Sequence, residues 1–194
     1  MQFTYRFSSR WCVDYSIEIN SQQSGSNVTY VSDCLGDLLR ALMDLNADCV
    51  PEGDNLMTET SCLWNSEPLI TTWSFSLKRA GLLHVVVSQE YSAANEDGTY
   101  AGIQTEIDID TECSYDYLLE VIIKEADVLL KKHGIVGYQQ NWDHEFPLST
   151  FLKLKNYLLN KKPYVLIEIG DDYGEIKAGN VKSDIDLLFK EVPE

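Results

Sequence analysis

The chain has 194 residues, 44% hydrophobic and 11% aromatic, which is enough to close one core and too apolar for a disordered polymer. Its 31 acidic residues outnumber 15 basic ones for a formal charge of −16. This argues against a phosphate-tracking nucleic-acid binder, whose face needs excess Lys and Arg, and favours a basic partner or plain solubility.

The first residues alternate, with Phe3, Tyr5 and Phe7 and then Trp11, Val13, Tyr15, Ile17 and Ile19 apolar, which predicts one long or broken strand over 1–20. Residues 21–27 read as a Ser/Gln/Gly turn and 28–31 as a short strand returning in a hairpin. Ser32 and Asp33 offer an N-cap for a helix carrying Leu35, Leu38, Leu39, Leu42, Met43 and Leu45. Pro51 and Gly53 mark residues 46–59 as loop. Trp73, Phe75 and Leu77 alternate with Thr72, Ser74 and Ser76, and after a turn through Gly81 the apolar run 82–87 returns, so a hairpin stands at the centre of the chain. Residues 100–109 predict a further strand with Ile103, Thr105, Ile107 and Ile109 on one face and Gln104, Glu106 and Asp108 on the other. A helix follows from a Ser114 cap to His133, with Leu118, Leu119, Ile122, Ile123, Ala126, Leu129 and Leu130 as its stripe and Gly134 as its stop. Gly137 and Tyr138 lead into an aromatic loop with Trp142 and Phe146, and 147–160 reads as a helix whose Lys153 and Lys155, with Lys161 and Lys162, form the main basic cluster. Residues 164–169 are a last strand candidate. Residues 170–194 form an acidic appendage whose Ile185, Leu187, Leu188 and Phe189 are expected to dock on their own domain or on a second copy.

Five cysteines at irregular gaps, Cys12, Cys34, Cys49, Cys62 and Cys113, contain no CxxC pair and read as reduced thiols, several of them buried. No apolar run approaches the ~20 residues of a membrane helix, and no secretory leader pattern opens the chain. A cytoplasmic setting is expected. The sequon Asn27-Val28-Thr29 then carries no glycan.

Glu67 and Pro68 between Trp64 and Trp73 suggest indole walls around a carboxylate, able to hold a cationic or sugar-like ligand. The simpler reading, a proline corner with both tryptophans in the core, carries more weight. Asp143-His144-Glu145, beside Trp142, places a histidine among carboxylates, but consecutive residues on a regular element do not converge on a metal. His84 and His133 have ordinary strand and helix-end explanations. The run Asp108 to Glu112 lacks the glycine and spacing of a calcium loop. No GxGxxG, P-loop or GxSxG motif occurs, so no cofactor and no metal is expected and no catalytic set is assigned. Residues 90–127 hold eleven acids against Lys124 alone among Lys and Arg, making a face around Glu106, Asp108, Asp110 and Glu112 the expected partner surface.

The block W-x-x-EP-x-x-x-x-W (Trp64, Glu67, Pro68, Trp73) and the segment G-Y-x-x-x-W-x-x-x-FP (Gly137, Tyr138, Trp142, Phe146, Pro147) resemble a set of small uncharacterised bacterial proteins over residues 1–160. The resemblance implies an α+β fold in a bacterial cytosol and transfers no catalytic residue.

The fold expected is a single α+β domain over 1–169, with an antiparallel sheet of five to seven strands. Two or three helices, near 33–46, 114–133 and 148–160, would cover one face. The function expected is a non-enzymatic, acidic protein-binding module, immunity- or antitoxin-like, with a basic protein as partner and neither nucleic acid nor membrane. The alternative is a small-ligand binder or enzyme with an aromatic pocket at Trp64, Glu67, Trp73, Trp142, Asp143 and His144.

Overall fold

The computed structural model describes residues 1–51, 53–79, 81–95, 98–171 and 174–192. Its strands β1 (Gln2–Ser9), β2 (Cys12–Ile19) and β3 (Gln22–Thr29) precede helix α1 (Cys34–Met43). Strands β4 (Glu59–Asn65), β5 (Ile70–Arg79), β6 (Leu82–Ala94) and β7 (Tyr100–Ser114) follow, then helices α2 (Tyr115–Trp142) and α3 (Leu148–Asn160). A hairpin of β8 (Ile167–Asp171) and β9 (Gly174–Ala178) and helix α4 (Val181–Phe189) complete the chain. The fold is α+β and every strand pairing is antiparallel.

The strands divide into sheets of order β1-β2-β3, β4-β5-β6-β7 and β8-β9, not the one sheet of five to seven expected. The seven strands before α2 fall in two sheets because β3 and β7 meet through side chains where a backbone ladder would be needed. The Gln22 amide donates to the Asp110 carbonyl at 3.3 Å and accepts from its N–H at 2.7 Å. Asn20 donates to Thr111 and Glu112, and Ser24 donates to Asp108 at 2.6 Å.

The stretch expected as one long or broken strand, a turn over 21–27 and a short returning strand over 28–31 is three strands, the third of them Gln22–Thr29. The chain reverses at Trp11 (φ 70°) and again at Asn20 (φ 49°) and Ser21 (φ 67°), the left-handed pair that a tight hairpin turn requires. The polarity of β3 hid it, since its buried residues are only Ser24 and Val28. The central hairpin and the meander into β7 form as expected, with a turn at 66–69 that contains a cis Glu67–Pro68 bond.

In β7 a bulge changes the expected alternation. Ile109 pairs with Val87 but Ile107 pairs with the very next residue, Ser88, so Asp108 is the extra residue and the face inverts there. Ile109 is fully buried, whereas Ile107 and Ile103 are 60% and 66% exposed. Substituting Ile103 or Ile107 by lysine is therefore expected to change stability by no more than about 0.5 kcal/mol. Ile109→Lys should abolish cooperative unfolding in urea, because its charge would be buried unpaired.

Asp33 caps α1, its carboxylate accepting from the Gly36 N–H at 3.2 Å, and Ser114 caps α2. Gly134 (φ 68°, ψ 171°) breaks α2 where the sequence places a stop, yet helix resumes through Gly137, Tyr138 and Trp142, so the expected aromatic loop is helical up to 142. Tyr138 and Trp142 face inward and win that turn for the core. Helix α1 packs on β4, where Thr60 donates to the Ala41 carbonyl at 2.9 Å. Helix α2 packs on β1, where Glu125 accepts from the Tyr5 N–H and from Arg6. Between them the aromatic interior closes, with Trp64 set edge-on to Tyr15 at 4.8 Å and beside Trp73 at 5.1 Å.

The expected basic cluster on α3 is not one surface. Lys155 is fully buried, its amine 2.6 Å from Asp127 of α2 and 3.3 Å from the Leu188 carbonyl, while Lys131 bridges Asp127 and Glu191. These bonds seat α4 on the chain's own core with Leu187 buried, and leave Ile185 and Phe189 exposed. The first part of the expected appendage instead joins the last strand candidate in the β8–β9 hairpin, in which Ile169 pairs with Ile176, so the boundary drawn at 169/170 falls inside β8.

Candidate functional site

The sheet β4–β7 has an inner face of Cys62, Trp73, Val85, Val87 and Ile109, all buried, and an outer face on which every described residue is at least partly exposed. Register fixes the outer rows. Glu59, Ser76, His84 and Glu112 lie abreast, then Ser61, Ser74, Val86 and Asp110, then Leu63, Thr72, Ser88 and Ile107, then Asn65, Ile70, Glu90 and Thr105. Alternation dictates this division, because period two sends each strand's apolar set inward and its small polar set outward. The bulge at Asp108 adds Ile107 and Ile103 to the outer set, where Leu63 is already 50% exposed. Glu59, Glu90, Asp110 and Glu112 set carboxylates among these rows, against His84 and, at one end, Lys78.

His84 donates from Nε2 to the Asp110 carboxylate at 2.7 Å. It borders a shallow depression of about 350 Å³ walled by Glu59, Ser61, Ser74, Ser76 and Val86. The Ser76 hydroxyl donates to Glu59 at 3.0 Å and accepts from Lys78 at 3.3 Å. The histidine is thus bonded across the β6–β7 pair and the serine across the β4–β5 pair, and each stabilises its strands in the manner of cross-strand polar pairs.

Of the acids expected to form the partner surface, Asp110 and Glu112 share this outer face. Glu106 stands opposite Gln89 on the other side of the ribbon, and Asp108 is held by Ser24. Glu96 and Asp97 of the same run lie outside the described residues. Register explains the split, since alternation alone would have put Glu106, Asp108, Asp110 and Glu112 together.

The residues expected around an aromatic pocket are not brought together around an opening. Trp64, Trp73 and Trp142 are each 0% exposed and pack ring against ring with Tyr5, Tyr15 and Phe7. Glu67 is exposed in the β4–β5 turn. Asp143 caps α2 in the left-handed region (φ 65°), its N–H bonded to the Gln139 carbonyl, and His144 donates from Nε2 to the Tyr30 carbonyl at 2.6 Å. A carbonyl can only accept, which fixes the proton on that nitrogen. Both residues therefore have structural work.

One exposed aromatic feature escaped the sequence reading. Trp11, 45% exposed at the β1–β2 turn, lies 5.8 Å from the Tyr30 ring and tilted 45° to it, with the Arg10 guanidinium 4.5 Å over its ring. The alternation assigned Trp11 to a strand's inner face; only its left-handed turn conformation turns it outward.

Cys34, Cys62, Cys49 and Cys113 are buried and free. Burial pushes all four thiols up, Cys49 to about 12 and Cys113 to about 11. With the thiolate as the reactive form, iodoacetamide at pH 8 is expected to label the folded protein at Cys12 alone, and mass spectrometry finding early label on Cys34 or Cys62 would contradict this packing. Among the described residues no three His, Cys, Asp or Glu side chains converge as metal ligands, and no helix is long and apolar enough to cross a membrane. Comparison with protein-family models, with curated proteins and with solved structures finds no match.

Proposed function

We propose that the chain is a non-enzymatic, acidic protein-binding module of the bacterial cytoplasm, immunity- or antitoxin-like, whose outer sheet face engages a basic protein. The observation that carries this reading is the uncovered face itself. On it exposed Leu63 and Ile107 stand on opposite edge strands with Thr72 and Ser88 between them, Ile103 lies farther along β7, and Glu59, Glu90, Asp110 and Glu112 place carboxylates across it. Exposed apolar groups beside charged ones on an open sheet face are what a partner protein would cover. The sign of these charges, together with the net charge of −16, selects a basic partner by steering and by repelling acidic ones. The bacterial setting is supported by the resemblance of the Trp64 to Trp73 and Gly137 to Pro147 motifs.

The test is capture from a cell lysate on the immobilised protein at low and at high salt. A basic protein retained at low salt and released at high salt supports the reading. The double variant Glu59→Lys/Glu112→Lys should lose it. Retention indifferent to salt and to these substitutions would overturn the assignment of this face.

A further inference from the structure

Among the described residues β7 is the last strand of its sheet, its backbone ladder made with β6. At 108–112 its far side is covered by Asn20, Gln22 and Ser24. Beyond the bulge, residues 103–107 are all exposed. This stretch pairs in unbroken register with Ser92 to Ser88 and lies between the irregularities at Ala93/Ala94 and at Asp108. Its length is that of an ordinary strand, about five residues. Sheet edges left open in soluble proteins are usually protected by lysine, proline or an inward charge. Residues 100–107 carry no proline and no basic residue, and their one charge, Glu106, stands on the inner-face side of the ribbon but is exposed there. Each outward side chain of the edge, Ile103, Thr105 and Ile107, suits a pleated neighbour.

We propose that the free edge of β7 over Ile103–Ile107 takes up an extended, lysine- or arginine-bearing segment of a partner protein as an added strand. The inference rests on the reading above and specifies how the basic partner docks. Main-chain bonds to the edge would supply affinity, and alternate side chains would supply selectivity. Charge complementarity selects the occupant. Glu106 on this edge and Glu90 on the neighbouring strand are the charged groups there, and no Lys, Arg or His occurs from Ser88 to Ile107, so the charge an incoming strand meets among the described residues is negative. A second copy would bring another net charge of −16 to the same edge, and like charge opposes that pairing.

The experiment uses the full chain and two fluorescein-labelled peptides of equal charge. One alternates lysine and valine; the other replaces each valine by proline, which cannot join a ladder. The expected result is saturable anisotropy with the valine peptide only, together with amide hydrogen exchange slowed about tenfold at residues 103–107 and unchanged at 82–87. Ile103→Lys/Glu106→Lys, at exposed positions, should keep the melting temperature and weaken that binding about tenfold. Equal binding of the proline peptide, or exchange unchanged at 103–107, would overturn strand addition. A doubled solution mass abolished by the same variant would overturn it in favour of a second copy. Salt-sensitive capture of a basic protein that is indifferent to Ile103→Lys/Glu106→Lys would remove this inference and leave the broader reading standing.

Discussion

Asp127→Ala is expected to destabilise the protein by about 3–5 kcal/mol, because it removes the carboxylate from a lysine amine with no access to water. Lys155 lies 2.6 Å from Asp127, and its side chain is 0% exposed. Without Asp127 it retains, among the described residues, the Leu188 carbonyl at 3.3 Å and the Phe151 ring at 5.4 Å. Lys155→Met should cost clearly less, since Asp127 keeps Lys131 at 2.8 Å and a flexible apolar side chain of similar length fills the space. This asymmetry separates a charge-bearing core pair from mere packing, which would make the two substitutions alike.

Burial pushes the Lys155 amine down and Asp127 opposes that shift. In the Asp127 variant burial acts with less opposition, so the folded amine loses its proton at a pH where the unfolded one retains it. The unfolded state then binds more protons, and stability rises with pH through that window. The deficit of Asp127→Ala should accordingly shrink between about pH 7 and pH 10. Urea titrations at the two ends measure both effects. A variant within about 1 kcal/mol of the parent at pH 7 would show that Lys155 is not held as a buried cation.

Sequence periodicity exposed most of this architecture and misled at identifiable points. Where period and burial agree, as in Trp73, Phe75, Val85 and Val87, the strands and their inner faces are legible. The helices from Asp33 and Ser114 are legible as well, because their caps are side-chain chemistry. β3 was not, since its inner face holds Ser24 where an apolar residue would signal a strand. The inversion at Asp108 was not, because a bulge is a property of the pair β6–β7 and leaves Ile103, Ile107 and Ile109 in perfect alternation in the sequence. Lys155 looked like one more surface lysine, and only the approach of α2 and α4 to α3 makes it a core residue. The candidate face follows the same logic. Its polar rows were readable from Thr72, Ser74 and Ser76, but Ile103 and Ile107 join it at the β7 edge only after the bulge.

Trp64→Ala is expected to cost about 3–5 kcal/mol, the range for deleting a fully buried large aromatic side chain. Trp64 belongs to β4, yet its ring meets Tyr5 of β1 at 6.2 Å, Tyr15 of β2 at 4.8 Å and Trp73 of β5 at 5.1 Å. It therefore fills the space between the two larger sheets, which share no backbone ladder. A cavity there loosens both sheets together, so unfolding should remain a single transition at lower urea concentration. Trp64→Phe should cost far less than its size suggests. The Trp64 indole N–H is buried and finds no acceptor among the described residues, and removing an unpaired donor lifts a penalty of about 1–3 kcal/mol that offsets the lost contacts. Urea denaturation of the two variants tests the assignment of Trp64 to the core. A ligand wall would tolerate alanine with little loss of stability, whereas a pillar between sheets requires a ring. An alanine variant within about 1 kcal/mol of the parent, or a phenylalanine variant as unstable as the alanine one, would refute this account of how the sheets are joined.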